Sequence, residues 1–226
     1  KNGFLYVIDR TNGKLIAANP FVKVNWASHI DLNTGRPVLT DLLERAKKGE
    51  TVLLYPSRGT NATMMAINPK TNLVFLNSWN LPRTYKYVDP KFVLGGDYTG
   101  MQSTMAVPPG EPAGYHMAIE PLTGKVVWQV PMMDFASSSA MLATDGGLLF
   151  TGLLTGEVVA LDQDSGQRLW QFKTGSSVNA VPITYTYKGK QYVSVLSGRG
   201  GSVSGRFIAN SVPAGGMVWT FALLDE

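Results

Sequence analysis

Ala118-Ile119-Glu120-Pro121-Leu122-Thr123-Gly124-Lys125-Val126-Val127-Trp128 and Ala160-Leu161-Asp162-Gln163-Asp164-Ser165-Gly166-Gln167-Arg168-Leu169-Trp170 follow one pattern. It runs Ala, apolar, acidic, two variable positions, Thr or Ser, Gly, two variable positions, apolar, Trp. The copies lie 42 residues apart. Two degenerate copies precede them, Val7-Ile8-Asp9-Arg10-Thr11-Asn12-Gly13-Lys14 and Ala66-Ile67-Asn68-Pro69-Lys70-Thr71-Asn72-Leu73, with a partial one at Ile30-Asp31-Leu32-Asn33-Thr34-Gly35. Each copy has a physical reading. The apolar pair ends a strand, and an Asp or Asn opens a tight turn because its side chain bonds the backbone two residues on. Glycine takes the position that needs positive φ. A second strand follows, and its Trp packs between neighbouring sheets.

Around the copies run short apolar or alternating stretches at 147–151, 157–161, 191–196 and 218–223. Four short strands per unit of about 42 residues is the arithmetic of a propeller blade. The chain is therefore expected to be all-β, with about four propeller blades in residues 1–226. The turns at Asp9, Asn68, Glu120 and Asp162 are expected in four successive sheets. Trp128 and Trp170 are expected buried at equivalent positions. A β-sandwich with coincidental turns is the weaker reading, because Trp and Gly recur together at one offset. Two insertions are expected, near 37–56 and 82–112. The first carries a short helix over 41–49, with Leu42, Leu43 and Ala46 on one face and Gly49 as its stop.

Composition agrees. Of 226 residues, 44% are hydrophobic and only 16% charged, with 24 Gly and 13 Pro, which favours many short strands over long helices. The net charge of +4 is scattered. Its one dense basic cluster, Arg45, Lys47 and Lys48, is flanked by Glu44 and Glu50 and reads as a solvated helix face, not a nucleic-acid footprint. The absence of cysteine excludes disulfides, thiolate metal sites and an attached c-type haem within these residues. No apolar run approaches a membrane span. The opening Lys1-Asn2-Gly3-Phe4, without an initiator Met, reads as a processed, truncated or engineered start. His29 and His116 share no motif and read as two unrelated surface or turn histidines. The Gly/Ser run from Ser197 to Ser204 reads as a loop, and the methionines as core filling.

The repeat resembles the tryptophan-docking motif of the pyrroloquinoline-quinone (PQQ) dependent alcohol dehydrogenases. The opening segment Lys1 to Gly13, the stretch Leu148-Leu149-Phe150-Thr151-Gly152, the segment Tyr185 to Val193 and Gly198-Arg199-Gly200-Gly201 are similar to that family in the same order. The resemblance covers essentially the whole chain. It implies the later part of an eight-bladed propeller roughly twice this length.

For the site, the resemblance implies that Lys1 touches the reactive quinone oxygens, where a cation stabilises developing negative charge. Lys1 is the one catalytic candidate; the plain alternative is a solvated terminal lysine. Asn61, seven residues before Asn68, matches a cofactor-binding asparagine. Arg58 is a candidate partner for a PQQ carboxylate. Ser138, within Ala136-Ser137-Ser138-Ser139, stands where many members carry a Trp under the PQQ plane. Arg199 replaces the Trp of a Gly-Trp-Gly-Gly segment, and a guanidinium can stack or pair with a carboxylate. These five residues are expected to serve one cofactor. The catalytic Asp base and the ligands of a Ca²⁺ or lanthanide ion match nothing here and are expected upstream of Lys1. The resemblance further implies a periplasmic enzyme that oxidises a small alcohol by hydride transfer and passes electrons to cytochrome c or a similar acceptor. The missing N-terminal half, or a second copy of the chain, would complete the ring. The alternative is a non-catalytic PQQ-like propeller acting as a scaffold or assembly factor.

Overall fold

The computed structural model describes residues 1–61, 63–96, 98–105, 109–133, 135–200 and 211–223. The chain forms two compact units. One comprises residues 1–60, 79–113 and 121–124; the other comprises 61–78, 114–120 and 125–226.

The first unit holds three small sheets. β1 (Phe4–Ile8) pairs antiparallel with β2 (Leu15–Pro20), and β3 (Ala27–Ile30) with β4 (Pro37–Leu39). The third sheet has the order β5-β8-β9, from β5 (Val52–Leu54), β8 (Arg83–Tyr87) and β9 (Met101–Met105). The segments read as insertions thus supply all three strands of this sheet, while β4, also within 37–56, pairs with β3. The helix α1 (Leu42–Lys47) precedes it and buries no side chain. Its basic residues are matched in place: Arg45 meets Glu50 at 2.8 Å and Lys47 meets Glu44 at 2.9 Å. Phe4, Ala27 and Ile30 form the local core, joined by Leu15, Val24 and Trp26.

The second unit is built on three larger sheets. One has the order β11-β10-β7-β6, from β6 (Ala66–Asn68), β7 (Leu73–Trp79), β10 (Gly114–Ile119) and β11 (Val126–Met132). The next is the meander β12 (Leu142–Ala143), β13 (Leu148–Gly152), β14 (Glu157–Asp162) and β15 (Arg168–Lys173). The third is β16 (Ile183–Tyr187), β17 (Lys190–Gly198) and β18 (Gly216–Ala222). The middle sheet is covered on both faces. Val159 and Leu161 pack with Phe75 and Trp128, whereas Val158 packs with Val178 and Val195. That is why β14 reads as a continuous apolar run instead of an alternating one.

One expectation needs correction. The turns at Asn68 and Glu120 do not belong to separate sheets: β6–β7 and β10–β11 are the two hairpins of a single four-stranded sheet. The turn chemistry of the repeat serves both hairpins of a blade, so counting turns overcounts blades.

The repeat does fix one hairpin geometry. Ala118 faces Trp128, Ala160 faces Trp170 and Val7 faces Ala17, and in each hairpin the register slips by one residue immediately afterwards. The three extra residues of these bulges, Ile16, Val127 and Leu169, all point to solvent. The acidic residue closes each turn in the same way. The amides of Asp9, Glu120 and Asp162 donate to the carbonyls of Lys14, Lys125 and Gln167 at 2.8, 3.0 and 2.8 Å.

The Trp positions are equivalent, but their burial is not. Trp128 is 9% exposed and donates its indole N–H to Gln163 O at 2.8 Å, in the turn of the adjacent sheet. A Cβ on Gly166 in that turn would lie 2.5 Å from the Trp128 ring, so only glycine lets the ring dock. Trp170, expected buried, is 38% exposed. Trp170 meets Phe221 edge-on at 5.0 Å.

Candidate functional site

In propeller-like meanders the hairpin turns of the repeat lie at one end of the sheets, and the connections between sheets lie at the other. Of the site candidates in the second unit, Ser138 lies in such a connection, whereas Arg199 follows β17 within a single sheet. Residues between β11 and β12 form a serine loop, Ser137 to Ser139. Residues between β15 and β16 include Asn179 and Ala180. The two loops are tied directly, because Ser139 Oγ–H donates to Ala180 O at 2.7 Å. Close packing places the second loop: a Cβ on Gly152 would lie 2.2 Å from a Val178 methyl group, so β13 and residue 178 touch through a bare glycine.

An open recess of about 390 Å³ is lined by Asn179, Ala180, Leu196, Ser197, Gly198 and Gly200. Arg199 lies between the last two of these. It is exposed, and its guanidinium approaches Val212 O at 3.5 Å. Ser138 stands beside Ser139, whose hydroxyl meets the carbonyl of Ala180 in the wall of this recess. The Ser138 hydroxyl is buried without a hydrogen-bond partner among the described residues, as is Asn179 Oδ1. Asn61 is exposed and precedes β6. Its loop joins the same region, since Met141 N–H donates to Met64 O at 3.4 Å. Gly201 lies outside the described residues.

The first unit holds the other two candidates. Gly59 N–H donates to Lys1 O at 2.8 Å, which brings Lys1 beside Arg58. The Arg58 guanidinium sits 5.1 Å from the ring centroid of the buried Trp79, a cation–π contact that orients the charge. The Lys1 side chain is exposed. Gly59 is enclosed: a Cβ there would lie 2.8 Å from Phe21 and 2.9 Å from Gly3.

Sequence reasoning missed one feature. His116 is no surface or turn residue; it is fully buried on β10, and its Nδ1 lies 2.5 Å from Asn77 Oδ1 on β7. Burial holds its pKa down to about 4, with the nearby positive charge of Arg168 adding to the effect. Asn77, also buried, contacts Ser137, Ser139 and Thr151. The only hint in the sequence is that His116 sits inside the apolar strand pattern of residues 114–119, where a polar side chain must find partners.

Residues 100–193 match the family described as glucose/ethanol/alcohol dehydrogenase, beta-propeller domain (PQQ). The quinoprotein ethanol dehydrogenase of Pseudomonas aeruginosa is 38% identical over 99% of this chain and 38% of its own length. The quinohemoprotein alcohol dehydrogenase ADH IIB of Pseudomonas putida is 37% identical over 89% of the chain and 29% of its own length. Among solved structures, a europium-containing methanol dehydrogenase superposes with a TM-score of 0.88 at 31% identity, covering 98% of this chain and 43% of that one. The chain thus spans about a third of the length of these curated relatives.

Proposed function

The chain belongs to the PQQ-dependent quinoprotein alcohol dehydrogenase family of β-propellers, to whose later blades it corresponds, and from that premise we propose that it supplies part of a PQQ site in an enzyme oxidising alcohols. The observation that carries this reading is the similarity along 99% of the chain to a quinoprotein ethanol dehydrogenase.

The donor set suits a carboxylated quinone. Two arginines, a lysine and an amide are the groups that bind carboxylates and carbonyl oxygens. PQQ, when bound, supplies the hydride acceptor. Lys1 places a cation where negative charge grows on a quinone oxygen, so its contact strengthens as the reaction proceeds. Asn61 hydrogen-bonds the cofactor and holds its orientation. Arg58, steadied by Trp79, pairs with a carboxylate. Arg199 pairs or stacks in place of the family's Trp, and Ser138 contributes a hydroxyl where an aromatic platform is absent.

The remaining parts of the site are assigned outside this chain: an Asp general base and the ligands of a Ca²⁺ or lanthanide ion. Electrons would leave to cytochrome c or a similar acceptor, and the protein would work in the periplasm. Among the described residues no helix is long and apolar enough to cross a membrane.

The test is a titration of PQQ into the full-length protein with Ca²⁺, followed by absorbance and by alcohol-dependent reduction of an artificial acceptor. Lys1→Ala is expected to reduce turnover more than PQQ affinity, and Asn61→Ala mainly to weaken PQQ binding. Unchanged turnover in Lys1→Ala would remove the role given to that residue. Absence of PQQ binding by the full-length protein would favour a non-catalytic scaffold.

A further inference from the structure

Asn77 stands at the centre of a buried polar cluster within the second unit. Its Nδ2 donates to Ser139 O at 2.7 Å and to Thr151 Oγ1 at 2.9 Å, with Ser137 Oγ at 3.3 Å. Ser139 O is a carbonyl and can only accept, so the amide cannot be turned round. Its oxygen must face His116. At 2.5 Å from that oxygen, His116 Nδ1 must carry a proton. A neutral ring then leaves Nε2 unprotonated.

The cluster fastens the serine loop at every residue but one. Ser137 Oγ–H donates to Gly152 O at 2.6 Å, and Ser139 N–H donates to Ser137 Oγ at 3.1 Å. Ser139 Oγ–H donates to Ala180 O, and Thr151 Oγ1–H donates to Ala140 O at 3.0 Å. Between two committed serines, the Ser138 hydroxyl has no partner among the described residues. A network that satisfies its neighbours and leaves one buried hydroxyl unpaired does more than fill a core, because an unmade buried hydrogen bond is destabilising.

We infer that Asn77 and His116 are positioning residues: they hold the serine loop in the one conformation in which Ser138 is presented to the bound cofactor. This rests on the proposal that the loop faces PQQ. The two residues touch no ligand themselves and act through Ser137 and Ser139.

The experiment uses the full chain and three readouts. Amide exchange of residues 137–141 is compared with that of β13 and β14, PQQ affinity is measured by absorbance titration in the full-length protein, and the His116 tautomer is read from ¹⁵N shifts. His116→Phe removes the donor to Asn77 and is expected to speed loop exchange and weaken PQQ binding by about tenfold each, the equivalent of one lost hydrogen bond, while the strands stay protected. His116→Gln retains a donor and is expected to restore both. The wild-type ring is expected to be protonated on Nδ1. If His116→Phe does not fold, Asn77→Ser and the wild-type tautomer carry the same test. An Nε2-protonated ring, or loop exchange unchanged in the variants, overturns the inference. Loosened loop exchange in a protein that binds no PQQ even as wild type upholds the positioning role and removes the cofactor reading instead.

Discussion

Trp128 donates its indole N–H to Gln163 O and lays its ring against the bare backbone of Gly166. Asn19, in the first unit, makes the same contact with a smaller group. It lies two residues beyond Ala17, the counterpart of the Trp, and donates to Pro121 O at 3.2 Å and Leu122 O at 3.0 Å. A Cβ on Gly124 would lie 2.5 Å from its side chain, as a Cβ on Gly166 would from Trp128. An amide thus replaces an indole in docking one hairpin. Trp128→Ala is expected to destabilise by about 3–5 kcal/mol, because a large buried side chain leaves a cavity. Asn19→Ala is expected to lose about 0.5–1.5 kcal/mol, the net range for a hydrogen bond whose carbonyls stay accessible to water. Thermal or urea unfolding of each variant measures both. Trp170→Ala, at a 38% exposed position, is expected to lose less than Trp128→Ala. His116 adds a pH dependence. Its folded pKa lies below its unfolded value of 6.5, so the stability tied to its neutral form is complete above that pH and is lost as pH falls towards 4. The loss over that window is about 3 kcal/mol, from a shift of roughly 2.5 pH units. Urea midpoints at pH 7 and pH 4.5 are expected to converge in His116→Gln relative to wild type. A wild type as stable at pH 4.5 as at pH 7 would remove this assignment.

Hairpins were legible in the sequence because each needs few residues of fixed type. Asp9 accepts from the Thr11 hydroxyl at 2.7 Å and its N–H at 2.8 Å, and Asp162 from the Ser165 hydroxyl at 2.7 Å and its N–H at 2.8 Å, and these bonds, the hydroxyl ones foremost, hold both carboxyls below the usual range. Gly166, at φ 72°, closes its turn where other side chains are strained. Gly166→Ala combines that strain with collision against Trp128 and is expected to be more destabilising than Gly13→Ala, whose Cβ meets nothing within 4 Å. Denaturant midpoints of the two variants check this order. The grouping of hairpins into sheets was not legible. β7 and β10 are adjacent in one sheet although residues 80–113 separate them in sequence, and no local pattern announces which strands rejoin after such an excursion. The helix at 42–47 was visible from its apolar spacing and terminal glycine. The serine-loop network was not visible, because Asn77, His116 and Ser139 come from three distant stretches and become neighbours only when two sheets stack.

At the scale of the molecule, the last sheet has three strands among the described residues where its two predecessors have four, and β18 carries no charged residue. Met217 and Val218 are more than half exposed, as is Leu196 beside them on β17. An uncharged strand next to exposed apolar side chains invites pairing. On the proposed function, the rest of a longer propeller, or a second copy of the chain, would cover that edge. The candidate residues Lys1, Arg58, Asn61, Ser138 and Arg199 supply cations, an amide and a hydroxyl, but no carboxylate base. On the proposed function, the base and the metal ligands would come from groups other than these five. The most direct measurement is alcohol-dependent reduction of an artificial electron acceptor, with PQQ and Ca²⁺ supplied, by this chain alone and by the full-length protein. The account predicts PQQ-dependent turnover by the full-length protein and none above a no-protein control by the chain alone. Turnover by the isolated chain, or none by the full-length protein carrying PQQ, would contradict it.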